Sequence, residues 1–264
     1  MADDAEEDLN GGEDEAPVDV AAAPNNAADP QPFVDGLIPV DIRERFEVYS
    51  YRNAAAILTH AHQEEFHEIL AMLRELSIPA RMIRKPGGNE SEIPKLISSA
   101  LRPRGWRETT IQADLAVQLI SRVPTAGGKA KATERRVERF TRERFLDGHK
   151  VDYVKGRVAF DLEWNSKDQT FDRDLYAFSA FSQCGVIDAA VILTRSASLN
   201  PLFRAMGQAL KKDGTEDPKR TISQKYGAST TWMGKLLYRL NAGRNGGCPV
   251  LAVGIGPECI ELEE

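Results

Sequence analysis

The chain has 264 residues, 42% of them apolar and three of them Trp, which suffices for one large domain with a sizeable core. No apolar run reaches the length of a membrane-spanning helix, and the acidic N-terminus has neither the basic nor the apolar region of a signal peptide, so a cytoplasmic protein without membrane contact is expected. The three cysteines, Cys184, Cys248 and Cys259, are odd in number and form no C-x-x-C, which argues against a disulfide framework or a zinc site and fits structural thiols in a reducing compartment.

The net charge of −6 is unevenly spread. Residues 1–35 hold eleven Asp or Glu and no Lys or Arg. Taking those eleven from the 40 acids leaves 29 against 34 bases, or +5, for residues 36–264. The expected organisation is an acidic arm over residues 1–35, disordered by composition at least through residue 31, followed by a single mildly basic domain over 36–264. The arm is either a solvated tail or a mimic of DNA that competes for a basic cleft. A basic body is what a phosphate-binding surface requires.

Phe46 to Tyr51 is predicted as a strand, and Asn53 to Thr59 as its continuation or a short helix. Gln63 to Leu76 reads as an amphipathic helix, with Phe66, Ile69, Leu70, Leu73 and Leu76 on one stripe. His60, His62 and His67 lack a further ligand nearby and are read as surface or capping histidines. Ser91 is placed to cap a helix running to about Leu101, with Pro94 in its first turn. Thr110 to Ser121 alternates enough for a strand or a strand-helix mixture. Gly127-Gly128-Lys129 is not a P-loop, because Ala130 stands where Ser or Thr must hold magnesium. Thr133 to Phe145 is predicted as an Arg-rich helix. It is read either as a solvated helix with one buried stripe or as a source of backbone-phosphate contacts from Arg135, Arg139 and Arg142.

Val151 to Lys167 is the stretch the rest of the chain serves. Val151 to Val154 is β-prone, Lys155-Gly156-Arg157 is turn chemistry, and Val158 to Trp164 alternates. Period 2 puts Asp161, Glu163 and Asn165 on one face and Phe160, Leu162 and Trp164 on the other. Asp152 joins the acidic face from across the turn. Carboxylates held that close repel unless a cation sits among them, which points to a hard divalent ion. The alternative is a hairpin with its polar face in water.

Beyond the hairpin, Asp172 is placed to cap a helix to about Gln183 with Leu175, Phe178 and Phe181 inward. Val186 to Thr194 reads as a buried central strand, and Asn200 to Leu210 as a helix. Residues 211–220 read as a polar loop, Thr230 to Leu240 as a helix and Pro249 to Gly254 as a last strand. This order predicts an α/β fold around a mixed sheet flanked by helices.

Asp152 followed by Asp161-Leu162-Glu163 resembles the split acidic motif of the PD-(D/E)xK nucleases. It is most similar to the branch of restriction endonucleases around BglII, BstYI and BamHI, in which Gln or Glu replaces the usual lysine. The similarity extends to Pro94–Ile97 and Leu101–Trp106 upstream. Downstream it takes in Val191–Thr194, Tyr226–Thr231 and Gly247–Leu251, so that it spans most of residues 38–256. The resemblance implies a restriction-endonuclease-like core and a Mg²⁺-dependent type II cleavage of double-stranded DNA. It further implies 5′-phosphate ends and a short palindrome, GATC-centred by resemblance alone.

In this reading Asp152 and Asp161 are metal ligands, and Glu163 orders or deprotonates the attacking water. Asn165 and Lys167 lie where the branch has further polar residues, and Glu108 falls near a fourth metal-site position. Two ligand registers fit, Asp161 with Glu163 or Glu163 with Asn165. Lys167 is a candidate phosphate clamp. Ser229, Thr230 and Thr231 open a predicted helix, either as its N-cap or as readers of base edges, and Arg195 and Lys225 are grouped with them as DNA contacts. One site cuts one strand, so a homodimer on DNA is expected. A repair or structure-directed nuclease, or a DNA-binding protein without catalysis, remain as alternatives on the same fold.

Overall fold

The computed structural model describes residues 28–86, 92–125 and 133–262. Residues 1–27, Ser91 and Gly127 to Lys129 therefore lie outside the described residues. The first half runs α1 (Gln31–Leu37), α2 (Val40–Arg43), β1 (Phe46–Tyr51), α3 (Ala54–Ala61), α4 (Gln63–Glu75), β2 (Ile78–Pro79), α5 (Ala80–Arg84) and α6 (Glu92–Leu101), then β3 (Arg107–Pro124). The second half runs β4 (Thr133–Lys155), β5 (Val158–Glu163), α7 (Thr170–Gln183), β6 (Ala189–Arg195), α8 (Asn200–Ala205), β7 (Gln208–Leu210) and β8 (Glu216–Thr221). It closes with α9 (Ile222–Lys225), α10 (Met233–Asn241), β9 (Val250–Ile255) and β10 (Ile260–Glu261).

Six strands form one mixed sheet in the order β1-β9-β6-β5-β4-β3. β5, β6 and β9 run parallel at its centre, and β1, β4 and β3 are antiparallel to their neighbours. The central strands are buried along their whole length, as a sheet covered on both faces demands. One face carries the core of α3, α4 and α6 with Trp106, Phe160, Leu162 and Trp164. The other packs Phe171, Leu175 and Phe178 of α7 and Leu236, Leu237 and Leu240 of α10 against Ala159, Ala190 and Ala252. The small alanines let both helices lie close to the sheet. The predicted α/β core with a mixed sheet flanked by helices is what the chain forms.

The acidic arm is shorter than its composition indicates. Asp29 donates its backbone N–H to the Ser50 carbonyl at 2.7 Å, and its carboxylate accepts from the Ser50 hydroxyl and from Asn53 N–H. α1 follows with Val34 buried in the core. Residues 28–35 therefore belong to the folded body: one apolar side chain and one bonded carboxylate suffice to dock an otherwise polar segment.

Thr133 to Phe145, predicted as a helix, is strand. β3 and β4 form a long antiparallel ribbon, paired in unbroken register from Leu115↔Arg142 to Pro124↔Thr133. Irregularities between Arg107 and Leu115 bend its inner part. Arg and Glu are good helix formers, but the register with β3 satisfies every second backbone group and overrides that preference. The Asn200–Leu210 helix is likewise shorter than predicted, its last three residues forming β7, and part of the predicted polar loop is strand β8, which pairs with β7. Among the described residues no helix is long and apolar enough to cross a membrane.

Candidate active site

β5 ends at Glu163 with its acidic side turned toward α7. Asp161 and Glu163 are both about 5% exposed or less, on the sheet face that carries Ala159. Asp152 comes from the neighbouring β4, solvent-accessible at the mouth of the site. These three line one cleft of about 310 Å³, together with His149, Lys150, Arg173 and Asp174. The predicted gathering of Asp152, Asp161 and Glu163 is therefore present. The hairpin turn that brings it about needs Gly156, whose φ is +54° and whose missing side chain would collide with Glu65.

The carboxylates are held in states that disfavour their charge. Burial, then the nearby Asp174 and Asp152, push Asp161 well above the usual carboxylate range, although its Oδ1 accepts the Asp152 N–H at 2.7 Å. Burial and the Asp174 carboxyl raise Glu163, against a hydrogen bond from Ser166. Asp174 is raised by burial too, even though Arg173 donates to its Oδ1 at 3.0 Å. Partial burial and the Glu108 charge raise Asp152. Oε2 of Glu163 and Oδ2 of Asp174 are buried with no N–H or hydroxyl donor among the described residues, and the two carboxyls can bond each other only when one of them carries a proton. Unpartnered buried carboxylate oxygens are costly unless something positive completes them.

Asp174 was not anticipated from the sequence. It lies on the inner stripe of α7 with Phe171, Leu175 and Phe178, at the helical spacings i, i+3, i+4 and i+7. An acid on a core stripe was the available signal. Lys150 and Arg173 were missed as well. They supply the positive charge of the cleft, for which Lys167 had been expected.

Several predicted site residues lie elsewhere. The strand ends at Glu163, so Asn165 leaves the acidic face and lines a larger hollow of about 720 Å³ with Leu162 and Trp164 on the far side of the sheet. Of the two ligand registers, the structure brings Asp161 and Glu163 together and not Glu163 and Asn165. Lys167 is exposed and outside the cleft lining, and its backbone bridges to Thr230. Glu108 is drawn to Lys150, with which it pairs at 2.8 Å, and does not line the cleft. That pairing holds its carboxyl below the usual range.

The expected DNA contacts also divide. Arg195 is 1% exposed, donating to the Trp164 carbonyl at 2.8 Å and the Thr231 carbonyl at 2.8 Å, with its guanidinium 5.0 Å from the Tyr226 ring centre. Burial lowers it to about 10, so it stays charged at neutral pH. Lys225 is buried, donating to the Ile83 carbonyl at 2.6 Å and to the Lys85 carbonyl, and burial lowers it to about 8. Thr231 is fully buried, and α10 starts at Met233, so the three hydroxyl residues form a loop before the helix and do not open it. Arg195, Lys225 and Thr231 are therefore internal ties and not DNA contacts. Only Ser229 of the hydroxyl trio is fully exposed. Arg135, Arg139 and Arg142 are exposed, on the β4 ribbon and not on a helix.

The donor set is all oxygen, as a hard cation prefers. Among the described residues, no three His, Cys, Asp or Glu side chains are drawn close enough to form a ligand cluster. No curated protein matches the chain. The family of restriction endonucleases BglII/BglIII matches it over residues 46–255, which includes the sheet, the cleft and the ribbon. The chain therefore belongs to the BglII/BglIII restriction endonuclease family, whose members are sequence-specific DNA endonucleases.

Proposed function

We propose that the chain is a Mg²⁺-dependent type II restriction enzyme that hydrolyses both strands of a short palindrome as a homodimer, leaving 5′-phosphate ends, with Asp152, Asp161 and Glu163 as its catalytic carboxylates. The observation that carries this reading is the cleft itself, in which two buried carboxylate oxygens, Glu163 Oε2 and Asp174 Oδ2, have no donor group among the described residues. Asp152, Asp161 and Glu163 would hold the ion, with Asp174 behind them in place of Glu108. Bound there, Mg²⁺ would supply charge stabilisation at the phosphoryl group and a more acidic water.

The chain's own groups do the rest. Glu163 lies beside Asp161 in the cleft and would order the attacking water and take its proton as the O–P bond forms and the bond to the 3′ oxygen breaks, that oxygen gaining a proton from solvent. Lys150 and Arg173 line the mouth of the cleft and are placed to receive the phosphate. Lys167 keeps at most a remote role in this scheme. The GATC-centred site remains an expectation from resemblance.

Plasmid digestion tests the proposal. Discrete linear fragments with Mg²⁺ and none with EDTA are expected, and fragment ends should ligate without prior phosphorylation. A smear, or supercoiled DNA left intact with Mg²⁺, would remove the restriction reading and favour a structure-directed nuclease or a binding protein respectively. Mixing wild type with excess Glu163→Ala protein should give nicked circles, which a monomer cutting both strands would not.

A further inference from the structure

The β3–β4 ribbon projects from the sheet with both faces in solvent. Direct cross-strand partners share a face, so its regular part divides cleanly. One face carries Leu115, Val117, Leu119 and Phe140 together with Glu134, Glu138, Arg136 and Arg142, so that its acids and arginines balance. The other carries Arg122, Arg135 and Arg139 with no acid, and Ile120 and Val137 lie between the Arg122–Arg135 pair and Arg139. Both acids of this part therefore lie away from the three arginines. Arg136 pairs with Glu138 at 3.2 Å, but Arg122, Arg135 and Arg139 have no ion pair among the described residues. Arg122 and Arg135 are direct cross-strand partners, an arrangement that repels and weakens a two-stranded ribbon already marginal in water. With Ile120, Thr133 and, at its edge, Glu134 they border a hollow of about 420 Å³.

We infer that this ribbon is a DNA-binding arm whose arginine face seats in a groove of the duplex flanking the cut site. The inference rests on the proposed nuclease reading for what the cleft does, but not for its own test. The major groove admits a two-stranded β-ribbon, and polyphosphate is the partner that turns two opposed arginines from a cost into a contact. The same strand, β4, holds Asp152 in the cleft and the arginines outside it. At ~3.3 Å per residue, Arg139 and Arg135 lie at most ~45 and ~55 Å along the strand from Asp152, a reach of about 15 base pairs at ~3.4 Å each. The arm therefore measures flanking DNA and ties it mechanically to a catalytic carboxylate.

Binding of labelled 12-base-pair and 40-base-pair duplexes, without divalent metal and across a salt series, tests this. The combined variant Arg122→Glu, Arg135→Glu and Arg139→Glu should bind the longer duplex at least ~10-fold more weakly than wild type at moderate salt. Its slope of log affinity against log salt should fall by about 0.9 for each arginine that reached a phosphate. The corresponding triple Arg→Lys variant should keep wild-type affinity, and the shorter duplex should hardly distinguish the proteins. Wild-type binding of the 40-mer by the Glu variant would overturn the arm. Equal loss on both lengths would overturn its flanking placement. Failure of Leu119→Ser, Phe140→Ser protein to dimerise, with DNA binding intact in the Glu variant, would assign the ribbon to a second copy instead. If plasmid is never cut but the length-dependent loss appears, the arm stands and the catalytic reading falls.

Discussion

At its inner end β4 brings Asp152 to a cleft where Asp161, Glu163 and Asp174 are buried with their charges disfavoured. Along its outer length the same strand holds Arg135, Arg139 and Arg142 in open water. Both ends concentrate like charge, and both do so at odds with stability. The difference is in what relieves the repulsion. Water screens the ribbon arginines at little cost. The buried carboxylates are relieved only in part, by the Asp152 N–H on Asp161, a Ser166 hydrogen bond on Glu163 and the charge of Arg173, which is 3.8 Å from Glu163 and largely exposed. Charge buried against its preference is the stronger sign of chemistry, and charge merely exposed the stronger sign of a surface.

Neutralising the buried end should give the largest effect. Asp161→Asn keeps an oxygen for the Asp152 N–H but removes a buried charge. Cleavage should drop by at least ~100-fold, the scale of losing one preorganised electrostatic group, while the melting temperature of the metal-free protein rises at neutral pH. A variant that loses activity and stability together would mean that Asp161 is a structural carboxylate. The corresponding change at the exposed end, Arg142→Gln, should leave melting unchanged, since the Arg142 side chain lies in solvent with its guanidinium 5.4 Å from the Phe145 ring centre.

The pH dependence of the free protein sharpens the contrast. Burial raises Asp161, Glu163 and Asp174 above their unfolded values. A raised acid holds its proton more tightly in the folded chain. Its stabilising contribution is full below the unfolded carboxylate range and is lost as pH rises through the folded values. The metal-free wild type should therefore lose stability relative to Asp161→Asn protein as pH rises from acid to neutral, each unit of raised pKa being worth ~1.4 kcal/mol at most. Mg²⁺ should restore more stability at the higher pH, measured by calorimetry with and without EDTA. A difference between the two metal-free proteins that stays constant over that range would show that Asp161 is ionised in the fold as it is in the unfolded chain. Removing the ribbon arginines should not alter the profile.

Much of this was legible because it is local. Alternation from Val158 to Glu163 separates Asp161 and Glu163 from Phe160 and Leu162 without any knowledge of the sheet. The apolar run at Val191 to Leu193 marks a strand with neighbours on both sides, and β6 lies between β5 and β9. Asn165 was misplaced because alternation says nothing about where a strand stops. Asp174 was missed because a helix stripe reads as core, and the acid in it acquires meaning only from the β5 carboxylates it faces. Thr133 to Phe145 failed for a similar reason. Its arginines and glutamates favour a helix locally, and the pairing with β3 that decides otherwise is a contact between segments separated in sequence. Arg195 and Lys225 look like phosphate ligands in any list of bases, and only their carbonyl partners reveal them as ties within the fold.

The smallest predicted effect lies at the other border between polar sequence and fold. Removing residues 1–27 should leave the melting temperature nearly unchanged, because a segment of that composition has too few apolar side chains to form a core. Removing residues 1–35 should differ, because it also takes away Asp29, which ties Ser50 and Asn53, and the buried Val34. Burial of a Val side chain is worth ~1.5–3 kcal/mol and the bonds of Asp29 ~1 kcal/mol each, so a loss of a few kcal/mol is expected from eight residues. Chemical denaturation of the two truncated proteins reads the difference directly. Equal stability would show that the Asp29 and Val34 contacts are too weak to hold the segment, and the border of the folded domain would move back to Gly36. A large loss from the shorter truncation would instead show that the acidic residues before Ala28 pack on the body, and their charge would then have to be weighed with that of the ribbon.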